Sequence, residues 1–114
     1  MAIRVEHAGD VAIVVAAGRF TGATETQELD AALTKLIEEE GHKKTLLNLT
    51  GTVLMNSVAL GVLVKSQNAA SQRQAHFALC GLRPRLHALI TRCFGSVIQI
   101  HDSCDEALET LQKL

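Results

Sequence analysis

Apolar residues recur along this chain with two periods, and the switches between them outline its elements. Ile3 to Glu6 and Val11 to Ala17 read as extended, the second a nearly unbroken run of β-branched and small apolar residues. Ala8-Gly9-Asp10 supplies the turn that folds them into a hairpin. A helical period then takes over, with Leu29, Ala32, Leu33, Leu36 and Ile37 at i, i+3, i+4, i+7 and i+8. Thr24 with Gln27 resembles a capping box at its start, and Gly41 marks its end. The intervening Glu38-Glu39-Glu40 reads as a solvated face, slightly unfavourable near the negative pole of the helix.

Thr45 to Leu49 reads as a buried strand, Thr50-Gly51-Thr52 as its exit, and Val53 to Met55 as a short extended or irregular approach to a second helix. Beyond Val58, the positions Ala59, Val62, Leu63 and Ala70 share one face, while Leu60 and Val64 make the first turns apolar almost all round. That pattern predicts a buried helix start whose N-terminus sits at a rim. His76 to Cys80 is a third core strand, and Pro84 is well placed at the first position of a helix carrying Leu86, Leu89, Ile90 and Cys93, which Gly95 stops. Val97 to Ile100 reads as the last strand. Ser103-Cys104-Asp105-Glu106 is a capping box that opens a final helix with Cys104, Ala107, Leu108 and Leu111 on its stripe.

The resulting order, β-β-α-β-α-β-α-β-α, predicts an α/β fold. Right-handed crossovers make a mixed, mostly parallel sheet of about five strands with four helices, in one domain over residues 1–114. Composition narrows the function. Eleven Lys+Arg against 12 Asp+Glu leave a formal charge of -1, which argues against a dedicated phosphate-backbone binder. Three aromatics, Phe20, Phe77 and Phe94, are too few for a base-stacking platform or an aromatic box. Cys80, Cys93 and Cys104 lack CxxC spacing and read as small buried hydrophobes, which together with the absence of a secretory apolar run after Met1 predicts a cytoplasmic, reducing setting. The uncharged stretch between Lys44 and Lys65 carries too many polar residues and glycines for a spanning helix, so no membrane insertion is expected.

Catalytic signatures are missing. Gly-Arg-Phe-Thr-Gly at 18–22 is neither GxxxxGK[ST] nor GxGxxG, and Ser57 lies in Asn56-Ser57-Val58-Ala59, not in a nucleophile elbow. A receiver domain of similar length would need clustered Asp at strand ends. His7, His42, His76, His87 and His101 show no paired-ligand spacing, so neither metal nor cofactor is expected. Ser57 is the residue with two readings: an N-cap for the buried second helix, or a phosphorylation site whose added charge the positive helix pole would accommodate.

Five local words in order resemble the STAS domain, the family of bacterial anti-sigma factor antagonists, across nearly the whole chain. Gly18-Arg19-Phe20 resembles the family's Gly-x-Leu-Asp, Leu47-Asn48-Leu49-Thr50-Gly51 its Leu-Asp-Leu-Ser-Gly, and Met55-Asn56-Ser57-Val58-Ala59-Leu60-Gly61 its Asp-Ser-Ser-Gly-Leu-Gly helix start. Cys80-Gly81-Leu82-Arg83-Pro84 is similar to Gly-Leu-Ser-Pro, and the segment 102–108 to the closing Asp-Ser-x-x-Glu-Ala-Leu. The resemblance implies a non-enzymatic cytoplasmic switch. The unphosphorylated protein would bind an anti-sigma factor that is also a serine kinase, phosphorylation of Ser57 would release it, and a serine phosphatase would reset it. It further implies a partner-binding rim of Phe20, Thr21, Thr52, Asn56, Ser57 and Val58, in a monomer or weak homodimer that contacts no nucleic acid directly. Thr21, Asn48 and Asn56 depart from the pattern, standing where the family usually has Asp around the serine. Arg83 likewise replaces a common Ser cap before Pro84. The alternative is a non-phosphorylated STAS docking or scaffold module in a signalling assembly or transporter complex.

Overall fold

The computed structural model describes residues 3–114. Strands β1 (Ile3–Ala8) and β2 (Val11–Phe20) form the hairpin, with Gly9 at φ 61°, a left-handed conformation that the tight turn requires. Helix α1 (Ala23–Thr34) runs on into a π-helical turn at Lys35–Glu39, and β3 (Lys44–Met55) follows. Then come α2 (Ser57–Gln72), β4 (His76–Cys80), α3 (Pro84–Phe94), β5 (Gln99–His101) and α4 (Cys104–Gln112). The sheet order is β1-β2-β3-β4-β5, with β1 antiparallel to β2 and every later pairing parallel. The predicted α/β architecture and element order are what the structure shows.

Side-chain alternation divides the core in two. Leu47, Leu49, Phe77 and Leu79 point into the larger layer, which α1, α2 and α3 cover with Leu29, Leu33, Leu63, Leu86 and Ile90. Leu46, Ala78 and Cys80 point the other way, joining Val11, Ala107 and Leu111 in a small layer roofed by α4. Among the described residues a single helix of 9 residues therefore covers the second face.

Several boundaries differ from the sequence reading. Thr50-Gly51-Thr52 is not an exit: β3 continues through it to Met55, because Ala17 and Gly18 of β2 pair with Gly51 and Thr52 after a register shift. A Cβ on Gly51 would lie 2.9 Å from that of Ala17, so the close strand approach needs glycine there. Helix α1 starts one residue before Thr24, with Gly22 in extended conformation as its N-cap, so the Thr24 box is not formed. The first turn of α2 is not buried all round, since Val58 is 64% exposed. Val97 belongs to the turn after α3, its N–H donating to Phe94 O at 2.9 Å, which delays β5 to Gln99.

The cysteines also need correction. Cys80 and Cys104 are disulfide-bonded, with Cα atoms 5.0 Å apart, so these two are not separate small buried hydrophobes and the cysteines give no support to a reducing setting. Cys93 is free and exposed rather than buried, and Phe94, one position on, is the residue that packs against the larger core.

Candidate functional site at the start of the second helix

The chain turns from β3 into α2 at Asn56, where two hydrogen bonds from one side chain lock the junction. Asn56 has extended backbone angles and its Oδ1 accepts from the Ala59 N–H at 2.9 Å, which makes it the N-cap. Its Nδ2 donates to Thr21 O at 2.9 Å, and its own N–H donates to Phe20 O at 3.1 Å. The ends of β2 and β3 are thereby tied together directly under α2.

Ser57 is consequently the first helical residue rather than the cap. Asn56 and Ser57 are both favourable cap residues, and Asn56 takes the role through its backbone geometry. The Ser57 side chain is exposed, and its hydroxyl makes no hydrogen bond among the described residues. Beneath it, the N–H groups of the first turn lack intrahelical acceptors, and no acidic residue occupies that turn. At α1 the situation is reversed, since Glu25 lies in the first turn with Oε1 2.5 Å from where a Gly22 Cβ would stand. Of these two neighbouring helices, α2 is therefore the one whose positive pole lacks a carboxylate.

Between the starts of the two helices lies a groove of about 310 Å³, lined by Thr21, Gly22, Ala23, Thr26, Gln27, Asn56 and Val58. Among the described residues no charged side chain lines it. Thr21 and Val58 are exposed at its mouth, and Asn56 is half-buried at its edge. Gly22, Ala23, Thr26 and Gln27 carry no rim signal in the sequence, where Gln27 reads as part of a capping box, and only the packing of α1 beside α2 brings them to the groove. The Thr21-Gly22 pair was the available signal.

Two residues expected on the rim are not on it. The Phe20 side chain is fully buried in the larger core, because the pleat of β2 turns its ring inward. Thr52 is fully buried as well, its Oγ1 donating to Ala16 O at 2.8 Å. Neither side chain is available to a partner. Asn48 is also remote from Ser57: the strand residues Leu49 to Met55 intervene, on the order of 20 Å of extended chain. There Asn48 Oδ1 accepts from the Thr50 N–H at 3.0 Å. Of the three neutral replacements, the structure joins only Thr21 and Asn56 at the serine.

Substituting Asn56 tests this junction. Asn56→Ala is expected to destabilise the fold by about 1–2 kcal/mol in urea titrations, because it removes the cap of α2 and leaves Thr21 O without its donor. Asn56→Asp should lose less, since a carboxylate still caps and favours the helix pole, although it faces the Thr21 carbonyl. Equal losses for the two variants would contradict the cap assignment.

The STAS domain family model matches residues 2–107. An anti-sigma factor antagonist from Mycobacterium paratuberculosis superposes with a TM-score of 0.85 at 16% identity, over 96% of this chain and 92% of that one. An anti-sigma-factor antagonist (STAS) domain protein from Planctomyces limnophilus gives 0.78 at 22% identity, over 96% of each chain. The Bacillus cell fate determinant SpoIIAA in its phosphorylated form gives 0.75 at 13% identity, over 96% of this chain and 98% of that one. Identities this low establish a shared fold. With the family match running from the first strand into the last helix, the chain belongs to the STAS domain family.

Proposed function

We propose that the protein is an anti-sigma factor antagonist that works by partner switching in the cytoplasm. With Ser57 unmodified, the rim of Thr21, Asn56, Ser57 and Val58 binds an anti-sigma factor with serine kinase activity. The kinase transfers the γ-phosphoryl group of ATP to Ser57 Oγ, ADP leaves, and the modified rim releases the partner. A serine phosphatase hydrolyses the phosphoserine and restores binding.

The observation that carries this reading is the division of labour between Asn56 and Ser57. Because Asn56 caps the helix, the Ser57 hydroxyl can be esterified without breaking a bond that holds α2. A phosphate there, with roughly -1.5 to -2 charge, lies next to free N–H groups and an uncompensated helix pole. Support also comes from Bacillus SpoIIAA, a protein of the same fold with a phosphorylated form. The replacement of Asp by Thr21 and Asn56 removes repulsion from a phosphoserine at this point, and asks the kinase to recognise a neutral rim.

Incubation with the cognate kinase and ATP, followed by mass spectrometry of the peptides, checks the assignment. One phosphate is expected, on Ser57, and Ser57→Ala should abolish it. Labelling at another residue, or unchanged labelling of Ser57→Ala, removes Ser57 from the proposal.

A further inference from the structure

The C-terminal part of β3 has a neighbour on one side only. Pairing with β4 ends at Asn48 opposite Cys80, whereas pairing with β2 continues to Met55 opposite Phe20. Leu49 to Met55 therefore carries no strand partner toward β4 among the described residues. Gly81 lies against Thr50, whose N–H already donates to Asn48 Oδ1, so the open part of the edge is Gly51 to Met55. Edges of this kind are normally guarded by charge or proline, and this one has neither: no charged residue or proline occurs between Lys44 and Lys65. Val53 and Leu54 are 45% and 46% exposed, and with Met55 they face Arg85, Leu86 and Leu89 of α3 across a groove of about 90 Å³.

Charge selects the occupant. Helix α3 contains no acidic residue, and Arg85, Leu89 and Arg92 stand on one stripe at i, i+4 and i+7. Neither arginine forms an ion pair among the described residues, although His87 on the same helix lies 3.5 Å from Asp102. A second copy of the chain would set these guanidiniums against each other, so self-pairing through this edge is disfavoured. We propose that the groove between β3 and α3 is a docking site for an extended acidic polypeptide segment, which pairs with the free edge of β3, inserts an aliphatic side chain over Met55 and Leu86, and places carboxylates on Arg85 and Arg92. This surface is separate from the groove beside α1 and does not depend on modification of Ser57.

The test uses the isotope-labelled protein and two synthetic peptides of alternating residues, one Glu/Val and one Lys/Val, titrated to millimolar concentration while amide shifts are followed by NMR. The acidic peptide is expected to shift the amides of Gly51 to Met55 and of Arg85 to Arg92, with the Lys/Val peptide silent. The doubly substituted Arg85→Glu/Arg92→Glu protein should reverse the preference, and its unchanged spectrum elsewhere would show that it is folded. Absence of shifts, shifts elsewhere, or equal responses to the two peptides would overturn the proposal. So would a DNA duplex or an anionic vesicle shifting these amides while the acidic peptide does not.

Discussion

Ser57→Asp is expected to weaken binding of the anti-sigma factor kinase by about tenfold or more, whereas Ser57→Ala binds like the unmodified protein. The argument is electrostatic. A partner that covers the rim removes Ser57 from water, and a carboxylate trapped there must be desolvated without a cation waiting for it, since the groove beside it has no charged lining. Tenfold corresponds to about 1.4 kcal/mol, a modest part of that penalty, and genuine phosphoserine with nearly twice the charge should cost more. Stability moves in the opposite direction. An acidic group in the first turn of α2 favours the helix pole by about 0.3–1 kcal/mol, so Ser57→Asp should melt no lower than the parent protein. Calorimetric titration with the kinase, alongside thermal melts, separates the two effects. Equal affinities of the Asp and Ala variants would eliminate the charge mechanism, and a lowered melting temperature would reassign the binding loss to unfolding.

The parts of this molecule that were legible in the sequence are those decided locally. Pro84 starts α3 where its fixed φ and missing N–H cost nothing, and Ser103 caps α4 by accepting from the Glu106 N–H at 3.1 Å. The stripe of Leu29, Leu33, Leu36 and Ile37 is buried as its period predicts. Reading failed where a distant strand overrides local chemistry. Thr50-Gly51-Thr52 has the composition of a turn, yet β2 holds it in the sheet, and only the tertiary register reveals that Gly51 is there to admit Ala17. The candidate site shows the same division. The family word located Ser57 at a helix start, but whether Phe20 faces partner or core depends on the pleat, and the structure buries it. Asn56 and Ser57 could each cap α2 on composition, and one residue of difference decides whether the serine hydroxyl is engaged or free.

Reduction of the Cys80–Cys104 disulfide is expected to lower stability by about 3 kcal/mol, the chain-entropy value for a bond closing a separation of 24 residues. For a domain of this size that corresponds to a fall in melting temperature of about 10–20 °C. The location explains why so much depends on one bond. Cys104 is the first residue of α4, among the described residues the only helix over the small core of Val11, Leu46, Ala78, Cys80, Ala107 and Leu111. The bond fixes the start of that helix to the end of β4, and the Thr50 hydroxyl donates to Cys104 Sγ at 3.7 Å from the neighbouring strand. Gly81 has no room to adjust between them: it has φ 73°, and a Cβ there would collide with Thr50 Oγ1. Differential scanning calorimetry with and without dithiothreitol measures the effect, and thiol counting reports whether the bond has opened. Cys104→Ser should melt with the reduced parent and ignore the reductant, whereas Cys93→Ser should keep the full response because Cys93 stands outside the bond. If the parent melts at one temperature in both buffers despite a rise in free thiols, the staple contributes nothing and α4 is held by its apolar stripe alone. If reduction instead lowers the melting temperature as expected, the partner switching proposed above would run in a reducing cytoplasm from the less stable dithiol form, and partner affinities of the wild-type protein measured in both redox states test whether it does.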